Sequence, residues 1–163
     1  MPVLTLSKNF VPGIVLLLAV GSGFALLALL NTFSGTETQT FGGNTEIVRL
    51  GDGAIRLRLE NCNLIRFKSE FAELLTVENV SEIELRNSVL DEDVIGSFLQ
   101  EGSLKTLGLN KCILTAGCVP LICDLSQLKK LTIIDCGLDR VSLAEINNSL
   151  TGCEVIPRVA FAP

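Results

Sequence analysis

The apolar positions between residues 54 and 138 follow one pattern written four times. In register, the segments read AIRLRLENCNL (54–64), VSEIELRNSVL (80–90), LKTLGLNKCIL (104–114) and LKKLTIIDCGL (128–138). Each fits apolar-x-x-apolar-x-apolar-x-x-Cys/Ser-x-Leu, and Leu57, Ile83, Leu107 and Leu131 stand 26, 24 and 24 residues apart. Alternation inside each segment predicts a strand with one buried face, carrying Leu57/Leu59, Ile83/Leu85, Leu107/Leu109 and Leu131/Ile133 inward. A fixed period of this length predicts stacked units, each able to bury its apolar face only against its neighbours.

The spacing between the strands changes to a helical one. Residues 67–75 place Phe67, Phe71, Leu74 and Leu75 on one face, and residues 91–99 do the same with Val94, Ile95, Phe98 and Leu99 behind an acidic start. In 116–125 the helix is expected to begin near Pro120, and in 142–150 Ser142 and Glu145 read as a capping box. Residues 45–50 alternate as a short strand before the Gly51-Asp52-Gly53 turn, and are expected to cover the open end of the first unit. A last strand is expected near residues 153–156, at an edge where Pro157 can be tolerated. Its register stays open: aligning Val155 with Leu131 puts Pro157 at an inward position.

The four segments resemble the leucine-rich repeat family in its shorter, Cys-bearing helical variety, over residues 47–157. The resemblance implies an α/β fold: a short solenoid of about four strand–helix repeats on a parallel sheet. It also implies that Cys62, Cys112 and Cys136, with Ser88 in the second unit, turn inward at the strand ends and hydrogen-bond the loop backbone. Two sequence features depart from commoner members of the family, namely Ser88 at the ladder position and the shortness of the array.

Ahead of the repeats the pattern is different. Residues 1–10 form a short tail with one basic residue, Lys8, and residues 11–30 contain no charge. At ~1.5 Å rise per residue such a helix spans roughly 30 Å, the hydrocarbon thickness of a bilayer. The apolar core of a cleaved secretory signal is usually about 7–15 residues, and Thr32-Phe33-Ser34 is a poor cleavage site. The expectation is therefore a single-pass transmembrane helix or signal anchor. A cleaved signal that releases a secreted soluble binder and a buried soluble helix are the alternatives. Lys8 precedes the segment and the first basic residue after it is Arg49, which favours repeats on the non-cytoplasmic side. Residues 31–44, rich in Gly, Thr and Ser, read as a flexible linker, and residues 45–163 as the repeat domain with its terminal caps.

Composition narrows the function. The chain of 163 residues is 48% apolar, which suits a domain plus an apolar segment. A net charge of −5 and the absence of Trp and Tyr argue against a nucleic-acid-binding face. With no His, neither a Ser-His-Asp nor a Cys-His pair can be assembled and His-ligated metal sites are excluded. The C-x5-C and C-x4-C spacings around Cys118, Cys123 and the ladder cysteine Cys112 do not match metal-ligand pairs. A Cys118–Cys153 or Cys123–Cys153 bridge is open to the chain in an oxidising compartment. Asp91, Glu92 and Asp93 sit at a helix start, where the dipole accounts for them. No enzyme, metal or cofactor is expected.

In the resembled family the parallel strands line one concave face, which implies rows of equivalent outward residues. These are Arg56, Glu82, Thr106, Lys130; then Arg58, Glu84, Gly108, Thr132; then Glu60, Arg86, Asn110, Ile134; and Asn61, Asn87, Lys111, Asp135. In the first two units they form three opposite-charge pairs, Arg56–Glu82, Arg58–Glu84 and Glu60–Arg86, which neutralise that half of the face. In the last two, Thr106, Gly108, Asn110, Thr132 and Ile134 make a small, mostly uncharged patch rimmed by Lys111, Lys130 and Asp135. This patch is the candidate docking surface for a partner polypeptide. The alternative role for the same fold is a structural or assembly subunit of a membrane complex. Asn79 and Asn147 match the N-glycosylation pattern, as do many chance sequences.

Overall fold

The computed structural model describes residues 37–158 apart from positions 52 and 78. Residues 11–30 lie outside the described residues, and among those described no helix is long and apolar enough to cross a membrane. The described residues form an α/β fold, with a mostly parallel sheet and four helices.

The strands are β1 (Glu37–Thr40), β2 (Gly43–Arg49), β3 (Ile55–Glu60), β4 (Val80–Arg86), β5 (Val89–Leu90), β6 (Thr106–Asn110), β7 (Ile113–Leu114), β8 (Lys130–Ile134) and β9 (Glu154–Arg158). The helices are α1 (Lys68–Val77), α2 (Glu92–Gln100), α3 (Cys118–Cys123) and α4 (Arg140–Ser149). The main sheet has the order β1-β2-β3-β4-β6-β8-β9, and β5 and β7 form a two-stranded ladder beyond the strand ends. β1–β2–β3 are antiparallel, whereas every pairing from β3 onward is parallel.

The register of the four segments is the one their alignment predicts. Leu57 pairs with Ile83, Ile83 with Leu107, and Leu107 with Leu131. These residues and their partners two positions on are at most 2% exposed. The helices cover that inner side, each in contact with the next along the chain. Phe98 of α2 packs edge-on against Phe71 of α1 (5.8 Å between centroids), and Phe71 against Phe41 (5.9 Å).

Each strand ends in the same corner. Asn61, Asn87, Lys111 and Asp135 take φ of 59, 47, 53 and 52°, a left-handed conformation that turns the chain under the sheet. Their N–H groups donate to the strand-end carbonyls of the next unit, Arg86, Asn110, Ile134 and Arg158, at 2.7–3.0 Å. The following residue, Cys62, Ser88, Cys112 or Cys136, is buried. The Cys112 thiol donates to Leu85 O (3.4 Å), and Cys136 to Ile134 O (3.3 Å). Ser88 Oγ accepts from Cys62 N–H (3.2 Å) and donates to Arg86 O (2.9 Å).

Several expectations are corrected. The stretch read as a linker, 31–44, is a hairpin over 37–44, in which Phe41 (φ 55°) and Gly42 (φ 78°) form the two-residue turn. Two consecutive positive φ angles match the twist of the flanking strands. Phe41 is 6% exposed, its ring against Phe67 and Phe71, so the hairpin tip closes the first unit. A Cβ on Gly43 would lie 2.3 Å from Glu60 O, so a glycine is required by close approach to β3. Helix α3 begins at Cys118, two residues ahead of Pro120, which fits because a first-turn residue needs no N–H donor. Helix α4 is capped by Asp139, whose carboxylate accepts from Ser142 N–H (2.7 Å), rather than by Ser142.

The open register of the last strand is resolved as Val155 beside Leu131 and Pro157 beside Ile133. Glu154 N–H donates to Lys129 O and Arg158 O accepts from Asp135 N–H, so residues 154 and 158 bond inward to β8. With the alternation of a parallel strand, Pro157 faces the free edge, where it denies a donor to any added strand.

Two outcomes follow. Ser88→Ala removes both hydrogen bonds of the buried hydroxyl and is expected to cost about 1–3 kcal/mol in urea unfolding, with Ser88→Cys losing less. Pro157→Thr restores an edge donor and is expected to raise concentration-dependent self-association in sedimentation velocity, with little change in unfolding midpoint.

Candidate functional site

Among the described residues, neither helix nor loop fills the face formed by the outward residues of the parallel strands. Three of the four rows expected from the sequence are observed: Arg56–Glu82–Thr106–Lys130, Arg58–Glu84–Gly108–Thr132 and Glu60–Arg86–Asn110–Ile134 are successive partners in register, whereas Asn61, Asn87, Lys111 and Asp135 form the corners beyond the strands. On this face lies a depression of about 260 Å³. Its lining includes Thr106, Gly108, Asn110, Thr132 and Ile134, with the buried Ile83 and Leu109 beneath. The five central candidate residues are thus brought together around one hollow.

The three rim residues stand apart from the lining. Lys111 is exposed and Asp135 half-buried, each at a left-handed corner beyond the strand end. Lys130 is paired with Glu154 of β9 at 3.3 Å.

The opposite wall comes from the self-neutralised half of the face, which the rows alone place apart from the patch. Arg56, Arg58, Glu82 and Glu84 line the same depression. Arg56 Nε donates to Glu82 at 2.5 Å and Arg58 Nε to Glu84 at 2.8 Å, as the rows predict. Arg58 Nη1 also reaches Glu46 of β2 at 2.7 Å. The third expected pair is corrected: Arg86 bonds Glu84 on its own strand, at 2.9 and 2.5 Å, instead of Glu60. Glu84 offers two oxygens, one to Arg58 and the other to Arg86, so the carboxylate sits between two guanidinium groups. The chain Glu46–Arg58–Glu84–Arg86 crosses β2, β3 and β4. The alternation of residues 45–50 was the signal for Glu46, but its antiparallel partner was not evident from the repeats.

Partial burial pushes the Glu84 carboxyl up, and the hydrogen bonds from Arg86 and Arg58 outweigh it, so the group ends below its ordinary value of 4.5. A depressed carboxylate contributes stability that is fully present above the unfolded value and is lost as pH falls through the folded one.

The cysteines are all free thiols, so neither the Cys118–Cys153 nor the Cys123–Cys153 bridge is formed. The neighbouring Cys112 lowers Cys136 to about 7 against the effect of burial, and the same interaction together with burial pushes Cys112 up. Burial raises Cys62, Cys118 and Cys153. Among the described residues no cluster of three or more His, Cys, Asp or Glu can hold a metal ion. Asn79 and Asn147, of the two glycosylation patterns, are exposed.

Comparison with protein-family models, curated proteins and solved structures finds no match for this chain.

The charged wall yields a pH-dependent outcome. Glu84→Gln is expected to cost about 1 kcal/mol at pH 7 in urea unfolding. The difference from the native chain should shrink as pH falls from 4.5 through the lower value of the folded state, below which the native carboxylate is itself protonated.

Proposed function

We propose that this chain is a membrane-anchored, non-catalytic protein-binding module, built as a short leucine-rich repeat solenoid that docks a partner polypeptide on its open sheet face. The observation that carries the reading is the depression left open by the described residues, lined by five of the residues expected to form the patch. A sheet whose inner side is fully covered and whose outer side holds a recess bordered by internally paired charges has the layout of a recognition surface. The repeat resemblance supports the same role, since stacked parallel strands present equivalent residues side by side. The non-catalytic part rests on the chain having no His and no acid–base pair in the recess other than carboxylates committed to Arg56, Arg58 and Arg86.

Anchoring through residues 11–30, and repeats on the non-cytoplasmic side, rest on sequence: an uncharged apolar run of bilayer length and the position of Lys8 before it. Asn79 is an exposed reporter of sidedness.

The test places a photo-crosslinking amino acid at Thr132 in the full-length chain within its native membrane. A discrete adduct is expected, at least tenfold weaker when Gly108 is changed to Asp and Asn110 to Lys. An adduct of undiminished yield in those variants would sink the docking face. A partner that co-purifies at fixed stoichiometry and never exchanges would favour a structural subunit of a membrane complex. A mature chain beginning near Gly35 would replace the anchor with a cleaved signal.

A further inference from the structure

The depth of the depression comes from one missing side chain. Gly108 of β6 shares a row with Arg58, Glu84 and Thr132, and is the only one of the four without a side chain. A Cβ built there would meet Glu84 Cγ at 3.5 Å, which is ordinary contact, and Gly108 is not at positive φ. Neither backbone geometry nor internal packing therefore demands glycine, in contrast to Gly43. What the glycine provides is the space above it.

The walls of that space restrict what can enter. The charged heads on the β3–β4 side are held against each other, Arg56 on Glu82 and Arg58 on Glu84, and the exposed lining is mainly carbon. A charged partner group would meet heads already neutralised and gain little Coulomb energy for its own desolvation. An apolar group gains by removing carbon surface from water and disturbs none of the pairs. The volume, about 260 Å³, lies below the roughly 300–1,000 Å³ of small-molecule and cofactor pockets. It is on the scale of a single large side chain. Polar groups for main-chain contacts stand nearby, in Thr106, Thr132 and Asn110.

We propose that the hollow over Gly108 seats one large apolar or aromatic side chain of the docking polypeptide, held between the ion-paired wall of β3–β4 and Thr132 and Ile134 of β8. This rests on the reading of the face as a protein-docking surface, and adds to it the chemistry of the partner's anchor. The arrangement is that of an interface hot spot: one buried side chain in a pocket, with paired charges around it that exclude water without contributing much themselves.

The probe is a phage-displayed random peptide library, selected on the full-length chain in lipid nanodiscs after depletion on empty nanodiscs. Enriched peptides are expected to share a Phe, Trp, Leu or Met, and alanine at that position is expected to weaken binding at least tenfold. Gly108→Leu, which fills the hollow from the protein side, is expected to weaken the same peptides at least tenfold while leaving the thermal midpoint unchanged. Should that variant be unstable, Thr132→Lys in the lining supplies the same comparison. Peptides with no shared apolar residue, peptides indifferent to the filled hollow, or no enrichment at all would each overturn the anchor. Peptides that ignore Gly108→Leu yet are lost with Asn110→Lys and Lys111→Glu would leave the docking face standing without it. Indifference to all these changes would remove both.

Discussion

Everything in this fold depends on turning the chain sharply under the sheet at the end of each parallel strand. A strand that pairs in parallel must be followed by a return to the starting edge, and the corner is buried, so its polar backbone groups have to be met inside the protein. The chain meets them in the same way each time. A left-handed residue aims its N–H at the next unit's last carbonyl, and the following Cys or Ser turns inward. Three of the corners carry a thiol, which packs as a small apolar group and donates weakly. The fourth, Ser88, is a full donor and acceptor, and it uses both capacities. Because every corner bonds forward to the next unit, the register of one strand sets that of its neighbour.

That shared register is also what produces the outer face. Fixing Leu57, Ile83, Leu107 and Leu131 in one row inside fixes Arg58, Glu84, Gly108 and Thr132 in one row outside. The ion pairs of the first two units are therefore a consequence of core packing, and they stand as a wall whose charges answer each other. Beyond that wall the row falls away at Gly108. The recess lies where an ordered, neutralised surface meets a stretch of small residues, which is why its chemistry favours an apolar guest.

The ends of the stack are closed by different means. At the front, a hairpin brings Phe41 over Phe71 and supplies antiparallel strands to the sheet. At the back, β9 carries Pro157 on the free edge, with the residue exposed to solvent. An apolar plug suits the front because the core there is deep. A missing donor suits the back because the hazard there is another strand.

The repeat period, the inward leucines and two of the three opposed charge pairs were legible from the sequence, because neighbouring strands of a parallel stack face equivalent positions and the period sets who meets whom. The hairpin was not legible, because glycine marks a loose linker and a tight turn alike, and only the packing of Gly43 against β3, where a Cβ would fall 2.3 Å from Glu60 O, separates the two. The cap of α4 was misplaced by the same kind of ambiguity: Asp139 and Ser142 both suit a helix start, and the backbone path chooses between them. Glu84 was expected to meet Arg58 across the sheet alone, but it also takes Arg86 from its own strand, because two residues along a strand brings the longer side chain back within reach on the same face. The hollow itself belongs to tertiary structure. A sequence shows that Gly108 lacks a side chain, but a space exists only once four strands lie side by side and the walls around it are in place.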